Sequence, residues 1–259
     1  MSGLNGALVL VTRPIAQADN LCGLIEQHGG QALRFPTLEI RPASVTPEAI
    51  QKALASDWLI FTSTNAVDFA LKAFNGKMQD LQSTQIAAIG QATATALRQA
   101  GLRIQCIPEH DFSSEGLLAE PIMQNVVGLK ITIVRGVGGR EKLAKTLQER
   151  GAEVAYLEVY RRCCPTIKSD TLTNALREGK LAASTVTSGE ALQNLLTILD
   201  ETMVTLLRKL PLIVVSDRIG QLAQQLDFEQ VSVSRQPTDA AILETLTMLF
   251  CGENSGRSN

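Results

Sequence analysis

The stretch Ile131-Thr132-Ile133-Val134-Arg135-Gly136, read together with the residues after it, decides the fold because it repeats the start of the chain. After Val134-Arg135 comes an amphipathic segment ending at Arg150-Gly151, then an apolar run ending in Tyr156, then Leu157-Glu158-Val159. Near the N-terminus, Val11-Thr12-Arg13 leads into a segment ending at His28-Gly29, then Phe35, then Leu38-Glu39-Ile40. Each copy reads strand, helix, strand, extended link. The short runs are almost continuously apolar, as parallel strands buried on both faces are, and the longer segments carry helical spacing. Gly29, Gly101 and Gly151 each follow such a segment, where a left-handed residue ends a helix.

The rest of each half matches as well. Phe61-Thr62-Ser63 corresponds to Val186-Thr187-Ser188, and Ala88-Ile89-Gly90 to Val214-Val215-Ser216, each before a helical segment. Strands are expected at 7–12, 31–35, 58–62, 86–89, 104–107, 131–134, 153–156, 184–187, 212–215 and 231–233. This alternation predicts an α/β protein with right-handed crossovers, in two lobes that each hold a five-stranded parallel sheet flanked by helices. Sequential halves would make such lobes, but an interleaved arrangement is favoured. Residues 1–37 with 166–251 then form an outer lobe, 48–157 a middle lobe, and 38–47 with 158–165 a two-stranded connector whose crossings end near Pro42 and Pro165. The polar residues 252–259 read as a disordered tail.

Composition trims the function classes. The 259 residues are 45% hydrophobic and 19% charged, with 24 Lys and Arg against 26 Asp and Glu. A net charge of −2 argues against a whole-chain electrostatic nucleic-acid binder. The two histidines, His28 and His110, and the five cysteines, Cys22, Cys106, Cys163, Cys164 and Cys251, show no zinc-ligand spacing. Seven Phe, two Tyr and one Trp leave few platforms for stacking bases. No apolar run approaches the roughly 18 to 20 residues of a membrane span, and Met1-Ser2-Gly3-Leu4-Asn5 has no positive leader. With an odd cysteine count this points to the reducing cytoplasm. The expectation is a monomer acting on a small molecule without metal or cofactor, nucleic acid or membrane. His28 reads as a partner of a helix C-terminus, His110 as a solvent-facing loop residue, and Cys163-Cys164 as reduced thiols.

In open parallel sheets ligands bind beyond the carboxyl ends of the strands. The turns there are Thr12-Arg13-Pro14, Thr62-Ser63-Thr64-Asn65, Gly90-Gln91-Ala92-Thr93, Arg135-Gly136-Val137-Gly138-Gly139-Arg140, Thr187-Ser188-Gly189-Glu190 and Ser216-Asp217-Arg218. Each runs into a helix, whose first N–H groups and positive dipole end attract anions. Helix ends of this kind on two lobes facing one cleft suit a ligand with several anionic groups, and Arg13, Arg135, Arg140 and Lys142 add charge. The same residue types are ordinary helix caps; Arg13 and Arg135, at matching repeat positions, are more specific. Glu141 stands where a dinucleotide-binding glycine pattern needs its third glycine, no phosphate loop is present, and Thr187-Ser188-Gly189 is not a nucleophile elbow. Tyr160, near the second crossing, is open to two readings: a proton donor in the cleft, or a ring packed against the connector.

The segments Leu10-Val11-Thr12-Arg13-Pro14, Trp58-Leu59-Ile60-Phe61-Thr62-Ser63-Thr64-Asn65-Ala66-Val67, Ala88-Ile89-Gly90-Gln91-Ala92-Thr93-Ala94 and Leu157-Glu158-Val159-Tyr160 resemble the uroporphyrinogen-III synthase family in order and spacing, over about residues 7 to 249. The resemblance implies two α/β lobes joined by a two-stranded ladder, the first lobe built from both chain ends. It implies a cofactor-free step of tetrapyrrole (haem) biosynthesis. The linear polycarboxylate hydroxymethylbilane loses water and closes to uroporphyrinogen III with its last pyrrole ring inverted. By resemblance, Tyr160 matches the tyrosine proposed to assist departure of the hydroxyl. Thr62, Ser63, Gly90, Gln91 and Thr93 match substrate-contacting turns of the middle lobe, and Thr187 and Ser188 occupy the equivalent outer turn. Thr64-Asn65 and Gly189-Glu190 depart from the Pro-containing turns common in the family. Ser216-Asp217-Arg218 replaces a Gly-Pro-Thr-like turn, which makes Ser216 and Arg218 the candidates there. Together with Thr12, Arg13, Arg135, Gly136 and Arg140 these form the expected substrate-binding set. The alternative is a non-catalytic two-lobed cytosolic binder of a small polyanion.

Overall fold

The computed structural model describes residues 3–76, 81 and 84–252. Two parallel-dominated five-stranded sheets form, each flanked by helices. In the first, β1 (Leu8–Val11) lies between β2 (Gln31–Arg34) and β8 (Leu181–Val186), followed by β9 (Leu212–Val214) and β10 (Val231–Val233). All of its pairings are parallel. Alternation along β1 sends Val9 and Val11 to one face and Leu10 to the other, and both faces are covered. The first face packs on α1 (Ile15–Gln27) and α11 (Asp239–Gly252) through Leu21, Ile25, Ile242 and Leu246. The other packs on α7 (Asp170–Arg177), α8 (Gly189–Ile198), α9 (Glu201–Arg208) and α10 (Asp217–Gln225) through Leu172, Leu192, Leu207 and Ile219.

The second sheet has the order β3 (Glu39–Pro42), β7 (Glu153–Cys163), β6 (Lys130–Gly136), β4 (Trp58–Phe61), β5 (Gln85–Ala88). Leu59, Phe61, Val134 and Leu157 face α2 (Pro47–Leu54), α3 (Thr64–Phe74) and α4 (Gln91–Gln99). Trp58, Ile60, Ile131 and Ile133 face α5 (Ser114–Ala119) and α6 (Lys142–Glu149). The chain divides into two compact units, one of residues before 40 together with those after 162, the other of Ile40–Arg162. Burial on both faces is why central strands such as β1, β4 and β9 read as continuous apolar runs.

Gly29, Gly101 and Gly151 take φ of 75°, 78° and 86°, the left-handed values expected after α1, α4 and α6. The expectation of a strand at 104–107 is corrected. Only Cys106 bridges β5, at Ala87, and the segment alternates between buried and exposed until Pro108 stops it. The fifth place in the second sheet is taken by β3, which lies beside β7, with Ala43 N–H donating to Val159 O at 3.0 Å. The two crossing segments are thus members of this sheet. Helix α11 reaches Gly252, and the rest of the expected tail, 253–259, lies outside the described residues. Among the described residues no helix is long and apolar enough to cross a membrane.

Candidate active site

In the second unit, Phe61 pairs with both Ala88 and Val134, so β4, β5 and β6 release the chain at one edge. There Thr62-Ser63 enters α3 and Ile89-Gly90 enters α4. Thr62 Oγ1 donates to Val134 O at 3.2 Å, stitching the turn to β6. Ser63 is extended, and its Oγ accepts from Ala66 N–H at 3.1 Å, capping α3. Helix α4 has no side-chain cap: Gly90 precedes it, and a Cβ on Gly90 would meet nothing within 4 Å. Gln91 is exposed on its first turn and Thr93 is buried.

Tyr160 reaches this edge through an irregularity. Strict alternation along β7 puts Tyr160 on the face of Tyr156 and Glu158. The register with β6 slips between Arg135 and Gly136, so Arg135 opposes Glu158 while Gly136 opposes Tyr160. The bulge turns Tyr160 into the core that holds Leu157 and Val159, under α3 and α4. Gly136 makes room for it, since a Cβ there would lie 2.6 Å from Cε2 and Cζ of the tyrosine ring. The ring sits 5.9 Å from that of Phe69 and is 4% exposed. Its hydroxyl is 3.2 Å from Ser63 Oγ. Of the two readings open for Tyr160, the ring is packed, inside the second unit, while the hydroxyl meets the cap of α3.

Arg135 lies on the opposite face, with Tyr156. Its Nε and Nη2 donate to Glu158 Oε1 at 3.2 and 3.1 Å, and Nη2 also donates to Glu141 Oε1 at 3.0 Å. The guanidinium stacks 3.7 Å from the centroid of the Tyr156 ring. Tyr156 Oη donates to Glu141 Oε2 at 2.5 Å. Burial and this bond push the Tyr156 phenol up to about 12. The bonds from Tyr156 and Arg135 hold the Glu141 carboxyl below its ordinary range. Arg135 is therefore matched by two carboxylates inside its own unit. Lys142 pairs with Glu115 at 3.0 Å, and Arg140 is exposed with no side-chain partner among the described residues.

The first unit has an equivalent edge beyond β1, β8 and β9. Ser188 Oγ accepts from Ala191 N–H at 3.1 Å and caps α8, while Ser216 precedes α10 without capping it. Ser63 and Ser188 thus cap α3 and α8, while α4 and α10 begin without a side-chain cap. Thr187 is half-buried and Arg218 is exposed. Thr12 is fully buried, with Oγ1 donating to Thr185 O at 2.9 Å. Arg13 is ion-paired to Asp239, the first residue of α11, and Asn20 Nδ2 donates to the same carboxylate at 2.6 Å. The Nε of Arg13 is buried without a partner. His28 Nδ1 meets Leu24 O at 2.8 Å at the end of α1, and Cys163 and Cys164 are free thiols.

The reading by residue type missed Glu141, Tyr156, Glu158 and Asp239 as partners of the arginines. Period-two spacing along β7 puts Tyr156 and Glu158 on one face, but it is the β6–β7 register, with Arg135 opposite Glu158, that makes it the face of Arg135. Among the described residues no group of three or more His, Cys, Asp or Glu is placed to hold a metal ion.

Comparison with known proteins adds a family. The family described as "Uroporphyrinogen-III synthase HemD" matches residues 19–244. The uroporphyrinogen-III synthase of Escherichia coli (strain K12) is 34% identical over 247 residues, covering 92% of this chain and 99% of the relative. That of Salmonella typhimurium is 33% identical over 250 residues, with coverages of 92% and 99%. Among solved structures, the uroporphyrinogen-III synthetase of Helicobacter pylori 26695 aligns with a TM-score of 0.62 at 16% identity, over 94% of this chain and 99% of that one. A mutant uroporphyrinogen III synthase of Thermus thermophilus aligns with a TM-score of 0.59 at 19% identity, over 95% and 99%. At these identities the two structures speak for the fold alone.

Proposed function

Since the chain belongs to the uroporphyrinogen-III synthase family, we propose that it closes linear hydroxymethylbilane to uroporphyrinogen III, with the last pyrrole ring inverted and water released. The family makes the chain an enzyme of haem biosynthesis; its relatives give no support to a non-catalytic binder. The reading of the site rests on one observation, the hydroxyl pair Tyr160–Ser63 at the first turn of α3.

Departure of hydroxide from a carbon is slow unless a proton arrives with it. In the proposed step the Tyr160 O–H bond breaks, its proton joins the leaving hydroxyl, and the C–O bond breaks to release water. Ser63 Oγ already accepts from Ala66 N–H, so its own proton is free to turn toward the phenolate left behind. The N-terminal end of α3 favours that negative charge. When the last ring attacks and closure finishes, the proton lost from carbon returns to Tyr160. The remaining work is positioning, which favours the inverted closure over the spontaneous uninverted one.

The substrate is a polycarboxylate. The uncapped starts of α4 and α10 support anion binding there, with Gly90, Gln91 and Thr93 in one unit and Ser216 and Arg218 in the other. We assign Arg140, Thr62, Thr187 and Ser188 to the same rims, and Arg13 to a carboxylate contact made beside Asp239. Thr12, Arg135 and Gly136 contribute through the shape of the rims. We take residues 1–37 with 166–251 and residues 48–157 as two lobes, with 38–47 and 158–165 as the connector, in a cytoplasmic monomer without cofactor that does not bind nucleic acid. The purified protein is tested on freshly generated hydroxymethylbilane: isomer III is expected, and isomer I at the spontaneous rate overturns the proposal.

A further inference from the structure

The bulge that aims Tyr160 is bracketed by charge. Glu158 stands two residues before Tyr160, at the last regular pairing position before the register slips. Its Oε1 accepts from Arg135 on β6 and, at 3.4 Å, from Gly138 N–H in the turn beyond β6. On the far side of the slip, Val137 N–H donates to Tyr160 O at 2.8 Å. Arg135 is 7% exposed and is pinned again by Glu141, while Gly136, next in the chain, carries the tyrosine ring. One carboxylate oxygen therefore joins β7, β6 and the following turn around the single misregistered residue. Without such a bracket, a parallel pair has regular register available at that point, which would send Tyr160 to the opposite face.

We infer that the Arg135–Glu158 ion pair is a positioning device for the reaction, which holds the β6–β7 bulge in the register that brings the Tyr160 hydroxyl to Ser63. It touches no reacting atom and acts only through Tyr160, so it rests on the proposed role of that residue. A planar guanidinium fork on a carboxylate suits the task, because it fixes orientation as well as distance. The substitution Arg135→Lys keeps the charge and loses the fork; Glu158→Gln keeps the shape and loses the charge.

A double-mutant cycle on the full chain tests it, with Glu158→Gln, Tyr160→Phe and the two combined, kcat and KM being measured with hydroxymethylbilane. Glu158→Gln is expected to lower kcat by about tenfold to a hundredfold, the scale of a small misplacement, with KM changed less than about twofold. The double variant is expected to be no slower than Tyr160→Phe alone. A double variant slower by the full Glu158→Gln factor overturns the inference and leaves the role of Tyr160 standing. Undiminished turnover in Tyr160→Phe overturns both. Arg135→Lys enters the same cycle from the other side should Glu158→Gln fail to fold. A raised KM at unchanged kcat in either variant also overturns the inference, by making the pair a substrate anchor.

Discussion

The hydroxyls of Tyr160 and Ser63 lie 3.2 Å apart although 97 residues separate them in the chain. Two local features produce this meeting. Ser63 is held as the cap of α3, and Tyr160 is turned toward it by the bulge opposite Gly136.

Ser63→Ala removes a helix cap and the tyrosine's partner together, and Ser188→Ala removes the corresponding cap of α8. Each is expected to cost about 1 kcal/mol of stability, as lost serine caps do. Only Ser63→Ala is expected to lower kcat as well, while Ser188→Ala acts on KM. Denaturant unfolding beside steady-state kinetics separates the two effects. An equal fall in kcat for both variants would make the Ser63 effect a general loss of order.

Gly136→Ala puts a carbon 2.6 Å from two carbons of the Tyr160 ring. Backbone and ring must part, at a cost of about 1 to 3 kcal/mol, the range for overpacking. Turnover is expected to fall with stability. A crystal structure of the variant should show the Tyr160 hydroxyl away from Ser63; unchanged kinetics would show that the close approach is dispensable.

Tyr156 carries a pH signature. Its phenol ionises at about 12 in the folded protein, above the ordinary tyrosine value near 10, because burial and the bond to Glu141 favour the neutral form. Below about pH 10 both folded and unfolded chains keep the proton and the contribution to stability is complete. Above that the unfolded chain ionises first, so the contribution is lost as pH rises toward 12. The melting temperature of the wild type is expected to fall more steeply in this window than that of Tyr156→Phe. Absorbance titration of the wild type beside Tyr156→Phe assigns the Tyr156 phase directly, as the difference between the two curves. Parallel curves for the two proteins would refute the assignment.

Arg13 and Asp239 keep only 15% and 13% of their side-chain surfaces exposed. Asp239→Ala leaves a mostly buried guanidinium unpaired, expected to cost about 2 kcal/mol, below the figure for a fully buried pair. Asp239→Ala with Arg13→Met should recover part of that loss; equal stability of single and double variants would show that the charge is not the cause. Arg13→Ala is expected to raise KM, and an unchanged KM would confine Arg13 to a structural role.

Much of the fold is legible because its causes are local. Continuous apolar runs such as Trp58–Phe61 and Leu212–Val214 announce doubly covered strands, and Gly29, Gly101 and Gly151 announce helix ends. The segment at 104–107 misleads because pairing depends on neighbours: it meets β5 in a single bridge, Cys106 with Ala87, and forms no ladder. The turns of the candidate site are legible as polar sequences after strands. Their free or engaged state is not: Arg135 and Arg13 read as open cations, and their partners Glu158 and Asp239 are supplied by β7 and by the start of α11. The direction of Tyr160 is hidden for a similar reason, since a one-residue slip between strands reverses what alternation foretells.

The most direct test compares wild type and Tyr160→Phe on freshly generated hydroxymethylbilane, with turnover and the ratio of isomer III to isomer I read in the same experiment. The wild type is predicted to form isomer III. Tyr160→Phe is predicted to keep its melting temperature and lose most of its turnover, so that isomer I from spontaneous closure accumulates. Isomer III formed by Tyr160→Phe at the wild-type rate would contradict the assignment of Tyr160 as proton donor, and isomer I alone from the wild type would contradict the proposed reaction itself.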